Sequence, residues 1–172
     1  MLVLWEILIQ CCQAHTTMTI EMTPIGWVRS KITETADDCW GGLVSAIELD
    51  TSVYTAESLQ GLAEFSHAEI LFHLDQIAPE RIHTGARHPR GRADWPAIGI
   101  FAQRGRERPN RIGLSTCRIV GVEGTRLLVA ELDAVDGSPV LDIKPYMAEF
   151  GPREEVRQPA WSRELMAGYY KS

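Results

Sequence analysis

The densest run of side chains able to do chemistry lies between Arg81 and Arg111. Arginines stand at 81, 87, 90, 92, 104, 106, 108 and 111, against two acids, Asp94 and Glu107. That is a local surplus of six positive charges in a chain whose net charge is -6. Interspersed signs serve solubility better than such segregation, and guanidinium forks among four glycines suit phosphate or carboxylate groups. The expectation is polyanion binding, weighed against a solvated basic loop that pairs with acidic neighbours. Within the window, Arg104-Gly-Arg-Glu-Arg-Pro-Asn-Arg111 packs four arginines into eight residues. A loop of that kind offers guanidinium forks and backbone N–H groups to an anion. Arginines fixed at a rim for structural reasons are the alternative reading.

Other candidate groups fall on strand-like segments. His67, Glu69, His73 and Asp75 share one face of an alternating run, because strand side chains alternate with period two. Glu69 and His73 are four residues apart, roughly 13 Å at about 3.3 Å per residue, too far to share one ion unaided. A half-exposed polar face is therefore expected there, and no metal site is assigned. Asp133, Asp136 and Asp142 surround a turn at Gly137, and Asp142, Lys144 and Tyr146 share a face if the strand persists. Asp142 is the candidate general base, with turn capping as the alternative for such aspartates. Phe101, in an apolar run, is expected in the core, and Trp95, in the loop, is expected to be open to an unstacked base. Neither G-x-G-x-x-G after a strand nor G-x-x-x-x-G-K-[ST] occurs, so no dinucleotide fold or phosphate loop is supported.

These groups must be positioned by short, mostly extended elements. Strands are expected at 20–30 (broken near Pro24), 43–49, 65–75, 97–103, 112–122, 126–132 and 140–143, with a brief helix at 56–62. Residues 77–96 form a loop longer than an ordinary connection, and long ordered loops tend to be functional. A terminal helix is expected within 159–170, with Ser162 as its N-cap. Six or seven short strands with so little helix imply a mainly β chain, a single closed or nearly closed barrel with loop insertions and a short C-terminal helix. Residues 1–19 are read as a peripheral tail and 20–172 as the barrel domain. Residues 1–17 are assigned no functional role, because their apolar stretch is too short to span a bilayer and carries Glu6. The four cysteines include no C-x-x-C pair, which fits a reducing, cytoplasmic setting.

From about Pro24 to Tyr146 the chain resembles the TsaA-like family. The resemblance is carried by Pro24-Ile-Gly-Trp-Val-Arg-Ser30, Phe65-Ser-His67, Gly99-Ile-Phe-Ala-Gln-Arg104, Arg108-Pro-Asn-Arg-Ile-Gly-Leu-Ser115 and Leu132-Asp-Ala-Val-Asp-Gly-Ser-Pro-Val-Leu-Asp-Ile-Lys-Pro-Tyr146, in that order. It implies a β-barrel methyltransferase, usually a homodimer, that binds S-adenosylmethionine between loops and has no Rossmann sheet. It also implies N6-methylation of threonylcarbamoyl-adenosine beside a tRNA anticodon. By position, the implied cofactor contacts are Trp40, Gly41, Gly42 and Leu43, then Asp75 and Gln76, Arg104, Leu114, and the turn Gly137, Ser138, Pro139 and Val140. Arg90, Arg92, Arg106, Arg108 and Arg111 are the expected contacts to the tRNA anticodon loop.

Two departures touch the implied pocket. Asp38-Cys39-Trp40 stands where many tRNA-methylating members have Pro-Arg-Gln, and Asp75-Gln76 where they have His-Gln. The chain also stops at Ser172, soon after the family motifs, whereas longer relatives carry a further C-terminal domain. A smaller RNA surface or another acceptor therefore stays open. The competing readings are a barrel that holds RNA or a nucleotide-like ligand without turnover, and a metal-assisted enzyme using His67 and His73.

Overall fold

The computed structural model describes residues 18–171. The expectation for residues 1–17 falls outside them. Six strands close an antiparallel barrel: β1 (Gly26–Arg29), β2 (Val44–Leu49), β3 (His67–His73), β6 (Ile112–Glu123), β7 (Arg126–Ala130) and β8 (Pro139–Pro145). Around the barrel the order is β1-β2-β7-β6-β3-β8, and β8 returns to β1 through Gly26 opposite Val140. A two-stranded ribbon, β4 (Ala86–Arg87) with β5 (Ile98–Gly99), stands outside the barrel within the arginine loop. The mainly β barrel with loop insertions and a short C-terminal helix is thus observed.

Strand alternation builds the core. On β3 the residues Ala68, Ile70 and Phe72 point inward and are buried, while His67, Glu69, Leu71 and His73 face out and are half-buried. Val28, Ile47, Leu127, Val129 and Val140 join them in one core from β1, β2, β7 and β8. A six-stranded barrel is narrow enough for side chains to fill it, and these residues form one buried cluster there. Gly113 on β6 makes one close approach possible: a Cβ there would lie 2.4 Å from Cζ of the Phe72 ring.

Three expected elements differ, the first being the strand expected at 20–30, of which only Gly26–Arg29 is observed. Residues 97–103 were expected as a strand, but only Ile98–Gly99 is extended, and Ile100–Ala102 is a 3-10 turn. The apolar run alternates for only two residues because Ile100 turns into the core and Gln103 ties the ribbon together, donating to the carbonyls of Ile98 and Arg87. The terminal helix α1 spans Ala160–Met166 with Pro159, not Ser162, at its N-cap. Ser162 lies inside the helix and its hydroxyl donates back to the Pro159 carbonyl, and proline without an N–H is well suited to a helix start.

Candidate functional site

The site lies at one rim of the barrel, where the loop after β1, the end of β3, the arginine loop, the start of β6 and the chain after β7 converge. Between them is a cavity of about 1760 Å³. Single small-molecule pockets usually hold about 300–1,000 Å³, so this cavity has room for two ligands together.

Of the cofactor positions expected from the sequence, Trp40, Asp75, Gln76, Arg104, Leu114 and Ser138 all line it. Gly41, Gly42, Leu43, Gly137, Pro139 and Val140 do not. Val140 is fully buried in the barrel. Gly137, at φ +80°, supplies the left-handed turn that presents Ser138. Gly42 and Gly41 are backbone neighbours of Trp40, and the Gly42 N–H donates to the Glu131 carboxylate. The Trp40 indole N–H is buried and finds no acceptor among the described residues.

Among the arginines expected to hold RNA, Arg90, Arg106 and Arg108 line the cavity, whereas Arg92 and Arg111 do not. Their partners divide them further. Arg90 grips Asp38 at 2.6 Å and Arg106 grips Asp37 at 2.9 Å, so the acids of the preceding loop neutralise both. Arg92 pairs with Asp94 and lies over the Trp95 ring. Glu107 receives Arg81 and Arg87, with His83 at 3.8 Å. Arg104, Arg108 and Arg111 bond instead to the main-chain carbonyls of Leu114, Gln103 and Ile77, and form no ion pair among the described residues. The pairing expected of a basic loop with acidic neighbours is thus observed for five of the eight arginines, and three have no acidic partner among the described residues.

Three expectations are corrected here. Phe101, expected in the core, is 78% exposed at the cavity, because the 3-10 turn swings it out. Trp95, expected to be open, is 5% exposed and its indole donates to Glu164 at 2.8 Å. Asp142 does not reach the cavity: Lys144 grips its carboxylate at 2.6 Å on the outer face, and its other oxygen accepts the Ile143 N–H. Asp136 accepts the Ser30 N–H at 3.0 Å and so caps the turn. His67 and His73 lie on the outer face of β3, and no group of three or more metal-ligating side chains is found among the described residues.

Sequence reasoning passed over the C-terminal segment, whose Trp161, Leu165, Tyr169 and Tyr170 also line the cavity. Nothing in their spacing marks them, since they meet the site only through folding. Asp133 emerges as the pocket's hydroxyl-bound carboxylate, accepting from Ser115 and from Tyr169. Burial, then the negative charge of Asp133, pushes the Tyr169 phenol well above its ordinary value, so it remains a donor. The non-glycine residues with left-handed backbone, Cys39, Arg90, Asn110, Arg111 and Glu131, each lie on the cavity wall or within two residues of it. Such conformations cost of order 1–3 kcal/mol each and gather at functional sites.

Comparison with known proteins gives this geometry a context. Residues 38–151 match the family model of the tRNA-methyltransferase O N-terminal domain. The crystal structure of TrmO from Pseudomonas aeruginosa superposes with a TM-score of 0.68 at 30% identity, over 86% of this chain and 63% of that one. An S-adenosyl-L-methionine-binding protein of Archaeoglobus fulgidus is 33% identical over 74% of this chain and 90% of its own length. The human tRNA (adenine(37)-N6)-methyltransferase is 37% identical over 59% of this chain and 23% of its own length. The chain also spans 58% of a Pseudomonas aeruginosa sequence that it matches at 36% identity. No helix among the described residues is long and apolar enough to cross a membrane.

Proposed function

The chain belongs to the tRNA-methyltransferase O N-terminal-domain family, and on that premise we propose that it is an S-adenosylmethionine-dependent methyltransferase acting on N6 of threonylcarbamoyl-adenosine in tRNA. The observation that carries the reading is the convergence of Trp40, Asp75, Gln76, Arg104, Leu114 and Ser138 on one rim cavity of about 1760 Å³. The residues fit the cofactor: the cavity exceeds the needs of one small molecule, and the buried indole N–H of Trp40 lacks an acceptor among the described residues. S-adenosylmethionine supplies a methyl group already activated on a sulfonium.

The protein's share of the chemistry is alignment and exclusion of water. Trp40, Leu114 and Ser138 form the cofactor side of the cavity. Arg104, which in this reading also contacts the cofactor, and Arg108 carry charges that no acid neutralises among the described residues, and they face the phosphates of an anticodon loop. Phe101, exposed on the same wall, offers a ring on which an unstacked base can lie. Asp142 is held by Lys144 away from the cavity and takes no part in this reading. The working unit is a homodimer in the cytoplasm, checked by light scattering on purified protein and by fractionation.

The test is calorimetric titration with S-adenosylmethionine, followed by transfer of labelled methyl to tRNA carrying the threonylcarbamoyl modification. Micromolar binding and label in the modified tRNA are expected, both weakened by Arg104→Ala. Binding without transfer to any tRNA would make the chain a nucleotide-like ligand carrier instead.

A further inference from the structure

Four carboxylates line the cavity, and their surroundings differ. Asp37 is paired with Arg106 and Glu107 with Arg81 and Arg87, while Asp75 is exposed to water. Asp133, half-buried just after β7, is held differently. One oxygen accepts the Ser115 hydroxyl and the other the Tyr169 hydroxyl, and no cation pairs with it among the described residues. A carboxylate has about four acceptor positions, and two hydroxyls fill two of them. They fix its orientation without an ion pair, and the Arg104 guanidinium, whose charge is also felt at Tyr169, bonds to the Leu114 carbonyl instead. An unpaired charge in a partly buried wall is costly, so the site is complementary to a cation that arrives with a ligand.

We propose that Asp133 is the anion that receives a cationic group of the bound cofactor, and that Tyr169, outside the family-matched residues 38–151, is the positioning residue that orients it. The inference rests on the reading of the chain as a binder of S-adenosylmethionine. Of the two proposed substrates, only the cofactor brings cations, a sulfonium and an α-ammonium, since nucleic acid brings phosphates and neutral bases.

The placement of Tyr169 is fixed by the site itself. The main-chain N–H of Trp40 donates to the Tyr169 carbonyl at 2.9 Å, and the Trp95 indole donates to Glu164 of α1 at 2.8 Å. At Gly41 a Cβ would lie 2.0 Å from the Tyr170 carbonyl oxygen, so the turn beside Trp40 admits the C-terminal segment only because residue 41 has no side chain. Tyr170 stacks edge-on against Tyr169, ring centroids 5.0 Å apart. The C-terminal segment is therefore a wall of the cofactor site, and the cofactor turn and the arginine loop both hold it there.

The test titrates the full chain with S-adenosylmethionine and with S-adenosylhomocysteine, which lacks the sulfonium charge but keeps the ammonium. Loss of a charge-assisted contact predicts that Asp133→Asn weakens S-adenosylmethionine binding by about 10- to 100-fold. Tyr169→Phe, which keeps the ring and frees the carboxylate, should weaken it by a smaller factor in the same direction. If the sulfonium is the partner, the preference for S-adenosylmethionine over S-adenosylhomocysteine collapses in both variants. If the ammonium is, the two ligands weaken together; either result upholds the proposal. Wild-type affinity for both ligands in a folded Asp133→Asn variant overturns it. Should that variant not fold, Ser115→Ala with Tyr169→Phe replaces it, and unchanged affinity and preference in that pair overturn the proposal. A wild-type chain that binds neither ligand instead defeats the reading as a cofactor binder, a different and distinguishable outcome.

Discussion

Glu107 is one of two acids inside the arginine loop, and it ties that loop to the ribbon by accepting from both Arg81 and Arg87. Burial pushes its carboxyl up, but hydrogen bonds from the two arginines and their charge outweigh that and hold it below the ordinary 4.5. A depressed folded value means that its stabilising contribution is fully present above the unfolded value and is lost as pH falls through the folded one. Glu107→Gln should therefore cost about 1–2 kcal/mol at neutral pH, a figure kept low because Arg81 is mostly exposed. In thermal melts the gap between variant and wild type should close as the pH drops below 4.5, and a gap independent of pH would show that the contacts, not the charge, matter. The buried Cys117 thiol stands in contrast: burial, then Asp133 and Glu131, push it up to about 12, so it packs as an apolar side chain of the core.

At the scale of elements, β3 and β6 do most to hold the rim in place. They pair over seven residues, from His67 opposite Arg118 to His73 opposite Ile112, and the far end of that ladder delivers Leu114 and Ser115 to the cavity. Gly113 is where the ladder is tightest, against the buried Phe72 ring. Gly113→Ala should destabilise by about 1–3 kcal/mol through overpacking. Gly121→Ala, on the same strand but with nothing within 4 Å of the added methyl, should stay within about 0.5 kcal/mol. Urea denaturation of the two variants checks this, and equal effects would show that strand propensity rather than the Phe72 contact sets the cost.

Across the whole molecule, charge is segregated by sequence and then partly neutralised by folding. The loop that carries Asp37 and Asp38 lies against Arg106 and Arg90, and what remains unneutralised is centred on Arg104, Arg108 and Arg111. Replacing Arg104, Arg106 and Arg108 by alanine should weaken tRNA binding and flatten the slope of log affinity against log salt by about two, not three, because Arg106 is already paired. Arg92→Ala, whose partner is Asp94, should leave that slope unchanged. An unchanged slope in the triple variant would remove tRNA phosphates from this face.

The amino-acid sequence determined the barrel, because period-two alternation is local: Ala68, Ile70 and Phe72 had to share a face, and turns such as Asp136-Gly137 had to separate the strands. The family motifs also pointed to Arg104, Leu114 and Ser138, which line the cavity, but equally to Gly137, Pro139 and Val140, which do not. Folding decided what depends on long-range neighbours. Phe101 and Trp95 exchanged their expected places because exposure is set by what packs on a ring, here Glu164 from 69 residues away. The Asp133 environment was likewise beyond local reading. Its two hydroxyl donors lie 18 and 36 residues away on separate elements, and only the closed barrel with its returning C-terminal segment brings them to one carboxylate.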